Sequence, residues 1–428
     1  MKESKEHPYL PKLRQQFAEG RCSRREFLRT ATLLGVSATS AYAFLGLTAP
    51  TANAASMPKG GTYRYGVRVL DVSSPHTYAW YEEQICRQVC EYLTKTAADN
   101  VTRPSLCEQW DASDDLRTWT LHLRKDVNWH NGRQFGADDV VWNIEHCLDP
   151  ATGSSVLGLM KGYIMDDAGE KVWDANAIER VDAHTVRLNL KVPQVAVPEH
   201  LFHYPLPMLD PEEGGVFQPG SNGTGAFELV EVEVGVQARV KARSEYWGEG
   251  PYLDEVHFID LGDDPSAGIG AIASQQVHGW YHVDVASLPV LSGIDHIHVH
   301  QSATAATGVA RTRVDAKPFD DPRVRKAMRL AVDTPRVLEL VFQENGTAAE
   351  HHHVCPIHPE YMELPFMSRD VDAAKALLAE AGHPDGIDVE IACNNNEPWQ
   401  ISAIQAMVEQ WADAGIRVNM NVMPGAQY

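Results

Sequence analysis

A histidine-rich loop holds the densest group of metal-capable side chains in the sequence. Residues 351–358 read His-His-His-Val-Cys-Pro-Ile-His, and imidazole and thiolate groups are ligands that zinc prefers. One hypothesis is therefore a metal site formed by His351, Cys355 and His358, although this spacing matches no standard zinc motif. We favour the alternative that the loop binds no metal, and that His353 and His358 form hydrogen bonds with a bound molecule or stack on it.

A second polar loop follows a predicted strand near the C-terminus. The strand is predicted at 387–391, and Asn394, Asn395 and Asn396 come shortly after it. Polar groups just beyond the carboxyl end of a sheet strand commonly face a ligand crevice. The three amides would donate and accept hydrogen bonds there, and Trp399 would supply an apolar wall. A surface loop with an Asn-rich helix cap explains the same pattern equally well.

A third candidate loop lies near the start of the chain. His76, Tyr78 and Trp80 follow the first predicted strand, 62–67, much as the asparagines follow theirs. They would bind a ligand by hydrogen bonding and stacking. An ordinary surface loop is again an equally good interpretation.

The sequence carries no recognisable catalytic or cofactor-binding motif. It contains no Gly-x-Ser-x-Gly elbow, no Walker loop and no His-Glu-x-x-His pair. Residues 268–273 begin like a dinucleotide fingerprint, but the third glycine is missing. The formal net charge of -21 also argues against nucleic acid as a partner. We therefore expect a protein that is not an enzyme, has no cofactor and binds no nucleic acid.

The N-terminus looks like a twin-arginine export signal. Arg24 and Arg25 stand in the sequence Ser-Arg-Arg-Glu-Phe-Leu-Arg, and a weakly apolar run follows at 31–47. Ala52 and Ala54 then match the small-residue pattern that signal peptidase reads. A basic amphipathic helix or a membrane anchor is the alternative, but the run is too interrupted for a membrane span. We expect an export signal read by the Tat translocase, and a soluble, periplasmic mature protein.

The elements that must position these loops are clearest in residues 121–150. This block reads as a strand, a tight turn at Asn131 and Gly132, and then a helix. Asn-Gly suits a turn that needs positive φ, while Asp138 and Asp139 place negative charge in the first helical turn. No catalytic chemistry is visible in the block, so we expect a packed strand–turn–helix scaffold.

The order and spacing of this block resemble the signature of the extracellular solute-binding proteins of family 5. That family comprises the oligopeptide-, dipeptide- and nickel-binding components of ABC importers. The resemblance spans residues 59–428 and rests on three further stretches: Gly223–Phe227, Pro318–Ala327 and Ala414–Val418. Each stretch alone is weak evidence, but together they are specific.

The resemblance implies an α/β, periplasmic binding protein-like fold of two lobes (type II, cluster C) with an extra small domain. Family members continue past the equivalent of Tyr428, so the C-terminal part of the second lobe is expected to be truncated. By analogy the chain divides into the export signal at 1–54, lobe I at 55–78 and 178–310, an inserted small domain at 79–177, and lobe II at 311–428.

The resemblance also implies a function in transport. The protein would capture peptides or similar small solutes outside the cytoplasmic membrane, and both lobes would close around the solute. It would then deliver the solute to the permease subunits of an ABC transporter, which act with their ATPase subunits. A nickel- or metal-chelate-binding transport protein is one alternative. A secreted metallo-hydrolase is an alternative of another class.

Overall fold

The computed structural model of the protein describes residues 6–48, 58–78, 82–97, 99, 101–302, 304, 306–352, 354–356, 361–365, 367–394 and 398–423. The chain forms two compact units, Met1–His282 (unit 1) and Val283–Tyr428 (unit 2). Within the described ranges, none of the helices has both the length and the apolar character of a membrane-spanning segment.

Unit 1 mixes helices and strands. Its helices are α1 (Leu10–Ala18), α2 (Arg24–Leu33), α3 (Ala38–Phe44), α4 (Glu83–Cys86), α5 (Ala137–Leu148), α6 (Ser155–Ile164), α7 (Val197–His200) and α8 (Pro265–Ala273). Its strands are β1 (Thr62–Val67), β2 (Thr94–Thr96), β3 (Thr102–Pro104), β4 (Cys107–Ala112), β5 (Thr118–Leu123), β6 (Ile178–Asp182), β7 (Thr185–Asn189), β8 (Phe227–Glu233), β9 (Gln237–Ala242), β10 (Glu255–Asp260) and β11 (Gly279–Trp280).

A five-stranded mixed sheet forms one part of unit 1. Its strand order is β11-β1-β10-β9-β8, with β1 parallel to both of its neighbours and the remaining pairs antiparallel. Alternate side chains point into one core, as the two-residue period of a strand requires. Ala238, Val240 and Phe258 are buried in that core together with Ile85 and Val89 from the segment around α4.

A four-stranded antiparallel sheet forms a second part of unit 1. Its order is β4-β5-β7-β6, and its core includes Trp119, Leu121 and Leu123 from β5. Because β7 pairs with β5 along its length, residues 178–189 belong to the same sheet as 107–123. The predicted boundary between the small domain and lobe I at residue 178 therefore differs from the strand pairing. The other predicted domain boundaries stay predictions.

The strand–turn–helix prediction for the block 121–150 is confirmed. Strand β5 leads into a turn in which Gly132 has a φ of 86°, and helix α5 follows. The Gly136 N–H donates to the Asp139 carboxylate at 2.9 Å, which satisfies a backbone donor that the first helical turn leaves unpaired.

A buried ion-pair network fastens this block to the rest of unit 1. The Arg133 guanidinium donates to Asp139 at 2.8 Å and to Asp210 at 2.6 Å. The Trp129 indole N–H also donates to Asp139, at 3.2 Å, and the Asn222 amide donates to Asp210. Both carboxylates are thus desolvated by the fold and compensated by several donors.

The segment 88–91 is held by the glycines of the Gly-Thr-Gly stretch. The Gly225 N–H donates to the Val89 carbonyl at 2.8 Å, and the Phe227 N–H donates to the Gln88 carbonyl at 3.1 Å. A Cβ at Gly223 would lie 2.1 Å from the Val89 oxygen. Only glycine therefore permits this close approach of two backbone segments.

Glu91, the last residue of the same segment, binds the Tyr-Trp stretch that follows β9. Its carboxylate accepts hydrogen bonds from the Tyr246 hydroxyl and the Trp247 indole N–H, each at 2.8 Å. Burial raises the pKa of Glu91, and the two donors oppose that rise. The Tyr-Trp stretch after β9 is thereby anchored on segment 88–91.

Unit 2 is built from amphipathic helices around a short parallel sheet. Its helices are α9 (Leu288–Ser292), α10 (Pro322–Leu330), α11 (Thr334–Phe342), α12 (Val371–Glu380) and α13 (Pro398–Asp413), and its strands are β12 (Ile387–Asn394) and β13 (Ile416–Met423). The two strands are parallel, with α13 as the connecting helix. Val324, Ala327 and Trp411 are among the buried core residues, so the apolar stripe of α10 faces inward.

Candidate functional site

Unit 1 contains an aromatic cavity of about 380 Å³ between β1 and the residues around α4. Its lining includes four aromatic rings and four polar side chains: Tyr63, Tyr65, Phe258, Tyr281, Glu83, Gln84, Arg87 and Gln88. The first strand contributes two of these rings because residues 63 and 65 lie on the same face of an extended chain. We call this feature the tyrosine cavity.

The rings of the tyrosine cavity form a continuous wall. The Tyr65 ring centroid lies 6.0 Å from that of Tyr63, 6.2 Å from that of Phe258 and 6.4 Å from that of Tyr281. Burial raises the pKa of Tyr65 to about 12, so its hydroxyl stays protonated at neutral pH. Such a wall can stack on apolar or planar groups and donate hydrogen bonds.

The lining of the cavity also contains polar side chains. The Arg87 guanidinium forms an ion pair with Glu83 and lies 5.8 Å from the ring centroid of Tyr92. The Gln88 amide donates to the Gln84 carbonyl at 3.1 Å. The cavity is therefore lined by an Arg87–Glu83 ion pair, by amides and by hydroxyls, an arrangement suited to recognition.

His76 and Tyr78 lie in the interior of unit 1. The turn Pro75–Thr77 folds the loop back on itself, which leaves His76 2% exposed. Its Nδ1 lies 2.8 Å from Nδ1 of His146 and its Nε2 lies 3.2 Å from the Pro207 oxygen. The Tyr78 hydroxyl donates to the Val72 carbonyl. These two residues pack in the core, which differs from their predicted place in a ligand-binding loop.

The histidine-rich loop is described only in part. His353 and His358 lie outside the described residues. His352 Nε2 lies 3.0 Å from the Glu350 carboxylate, whereas His351, at a φ of 60°, has a buried Nε2 with no hydrogen-bond partner among the described groups. No cluster of three or more His, Cys, Asp or Glu side chains suited to a metal occurs within the described ranges. Because His358 lies outside the described residues, a metal site formed by His351, Cys355 and His358 stays a hypothesis.

Trp399 lies in the first turn of α13, and Asn394 ends β12. The Trp399 ring centroid is 5.8 Å from that of Phe342, so the indole packs within unit 2. The Asn394 backbone N–H donates to the Gln400 side chain at 3.4 Å. Trp80, Asn395 and Asn396 lie outside the described residues. A ligand contact by Asn394 or Trp399 stays a prediction.

The sequence interpretation missed the tyrosine cavity. Tyr63 and Tyr65 alternate in a strand that was predicted, so the two-residue period placed both rings on one face. The third tyrosine of the wall, Tyr281, is more than 200 residues away in the sequence and joins them because β11 pairs with β1. That pairing has no local signal.

A family model matches residues 102–428, and its description is "Bacterial extracellular solute-binding proteins, family 5 Middle". The chain is 25% identical to heme-binding protein A of Haemophilus influenzae, over 82% of this chain and 67% of that protein. It is 24% identical to the dipeptide-binding protein of Escherichia coli K12, over 76% of this chain and 64% of that protein. The chain thus spans about two thirds of the length of these curated relatives.

Among solved structures, the protein is similar to the periplasmic binding protein DppA from Helicobacter pylori in complex with the peptide STSA. The TM-score is 0.68 at 20% identity, and the match covers 87% of this chain and 75% of that chain. This likeness confirms the predicted fold class, that of the periplasmic binding proteins. Together with the family model, which covers most of the chain, it leads to one assignment. The chain belongs to the bacterial extracellular solute-binding proteins of family 5.

Proposed function

We propose that the protein is the solute-binding component of an ABC importer. It captures peptides or similar small solutes outside the cytoplasmic membrane and delivers them to permease subunits, without making or breaking a bond. The family match over residues 102–428 carries this proposal. The similarity to a dipeptide-binding protein and to a peptide-bound structure supports peptides as the solute class.

The tyrosine cavity supports a ligand with both apolar and polar parts. Its ring wall suits side chains or other apolar groups, while Arg87, Gln84 and Gln88 suit carboxylate and amide groups. A short peptide contains all of these groups. The relative that binds heme makes a tetrapyrrole a further outcome to test, and a nickel or metal chelate is another.

Export to the periplasm is part of the same proposal. Support comes from the sequence around Arg24 and Arg25, the apolar run that follows, and the small residues at Ala52 and Ala54. The Tat translocase would read the motif. The double variant Arg24→Lys, Arg25→Lys should remain in the cytoplasm if the motif is read.

Mass spectrometry of molecules retained after mild purification, combined with metal analysis, tests the function. We expect short peptides at up to one equivalent per chain. Replacement of Tyr281 by leucine should reduce the retained amount, whereas the control Tyr252→Leu should not, because Tyr252 hydrogen-bonds Glu249 away from the cavity. Stoichiometric zinc coupled to turnover of a substrate would overturn the transport proposal in favour of a hydrolase.

A further inference from the structure

Helix α2 contains the arginines of the twin-arginine motif, and the apolar residues of that motif are buried. The helix begins with a capping box in which the Glu26 N–H donates to Ser23 Oγ at 3.1 Å. Arg24 is exposed at the first turn. Phe27 and Leu28, the apolar residues of the motif, are only 3% and 4% exposed. The two ends of the motif therefore have opposite environments.

Arg29, the last residue of the motif, is bonded to a part of unit 1 outside the export signal. Arg29 donates from Nε to Glu199 Oε1 at 2.7 Å and from a terminal nitrogen to Oε2 at 2.8 Å. Both side chains are 18% exposed. A two-point guanidinium–carboxylate contact in partly buried surroundings fixes orientation as well as distance.

Two further hydrogen bonds join the same surfaces. The Trp110 indole N–H donates to the Leu33 carbonyl, the last residue of α2, at 3.0 Å. The Tyr42 hydroxyl donates to Asp99 at 2.7 Å, and Arg103 holds that carboxylate in place. The N-terminal helices are thus attached through side chains and backbone alike.

An apolar cluster fills the space between these polar contacts. The buried residues of α1 to α3, including Leu10, Phe27 and Leu28, share one cluster with Val101 of the body. Leu116 and Val195 pack against its edge. This burial adds a hydrophobic contribution to the docked arrangement.

We infer that the export signal is docked on the rest of unit 1. It must be released from this surface before a membrane receptor reads the whole motif. The inference rests on the proposed export function, because a twin-arginine motif is an address that a receptor recognises. In the docked arrangement the receptor meets the exposed Arg24 but not Phe27 or Leu28. Glu199 lies 89 residues beyond Trp110 in the sequence, so this docking surface forms only when unit 1 folds.

Hydrogen exchange on the full-length precursor tests the docking. Glu199→Gln removes the charged acceptor, so amide exchange in residues 24–33 should become about tenfold faster, in line with the loss of a strong two-point contact. Glu179→Gln is the matched control, since Glu179 pairs with Arg187 in the four-stranded sheet and should leave this exchange unchanged. The double variant Arg29→Glu, Glu199→Arg should restore protection. Unchanged exchange in Glu199→Gln, or an equal effect of the control, overturns the docking.

Photo-crosslinking of the precursor to the translocase in membrane vesicles tests the release step. Glu199→Gln should raise the initial crosslinking rate of the motif about tenfold relative to wild type, in proportion to the exchange. Faster amide exchange without faster crosslinking would show that docking does not hide the motif from the receptor. That result would overturn the release step and leave the docking itself intact. Failure of the export proposal is distinguishable, because then the double variant Arg24→Lys, Arg25→Lys would leave both localisation and crosslinking unchanged.

Discussion

Removal of the Arg133 charge tests the ion-pair network within the block 121–150. In Arg133→Met, the carboxylates of Asp139 and Asp210 lose their shared cation, although their side chains are only 4% and 2% exposed. Breaking a buried pair from one side costs roughly 3–5 kcal/mol, because an uncompensated charge stays buried. Arg133 itself is 32% exposed, and both carboxylates keep other donors. We therefore expect the lower end, about 3 kcal/mol of unfolding free energy.

Urea unfolding, followed by fluorescence and by exchange of the β5 amides, measures this loss in unit 1. Arg187→Met is the control, because its pair with Glu179 is about one third exposed on both sides and should cost no more than about 1 kcal/mol. Adding Asp139→Asn and Asp210→Asn to Arg133→Met should recover part of the stability, since no buried charge remains. A loss below about 1 kcal/mol in Arg133→Met, or no recovery, would refute the reasoning.

Two further perturbations probe unit 1. Burial lowers the pKa of His76 to about 4 from an ordinary 6.5, so its contribution to stability is complete above pH 6.5 and is lost as the pH falls towards 4. That loss of unfolding free energy amounts to about 3 kcal/mol. In His76→Gln the urea midpoint should therefore change correspondingly less over this pH range. A variant whose urea midpoint depends on pH as that of the wild type does would contradict the lowered pKa of His76. Gly223→Ala should abolish soluble expression or cost several kcal/mol, roughly 3 or more, because its Cβ would meet the Val89 oxygen. Gly158→Ala, in α6 with open space around the new Cβ, should be neutral or stabilising by up to about 1 kcal/mol; a similar loss in both variants, measured by thermal unfolding, would contradict the close-approach argument.

The sequence predicted the parts of this fold whose signals are local. The strand, the Asn-Gly turn and the helix of the block 121–150 depend on neighbouring residues, so period and turn chemistry were sufficient. The role of Asp139 was predicted only as charge in a first helical turn. Its cap on Gly136 follows from that position, but its ion pair with Arg133 depends on how the turn folds back.

Contacts between distant segments explain the differences. The predicted boundary at residue 178 differs from the strand pairing, because β7 pairs with β5 and pairing between strands about 65 residues apart leaves no mark on either strand. Histidine is a residue type that suits a binding site, yet the His76 ring contacts His146 and the Pro207 carbonyl in the interior of unit 1. The candidate site follows the same rule, since the tyrosine cavity depends on the pairing of β1 with β11, more than 200 residues later in the sequence.

The segment 88–91 connects the tyrosine cavity with a natural optical probe. Gln88, its first residue, lines the cavity, and Glu91, its last, holds the indole N–H of Trp247. Gly225 and Phe227 bond the backbone of residues 88 and 89, so this short, fixed segment joins the cavity lining to the Trp247 contact. The Trp247 ring also lies under the Arg124 guanidinium, 4.5 Å from its centroid. We therefore expect a solute bound in the tyrosine cavity to change the fluorescence emission of Trp247. That change would report solute binding without an added label.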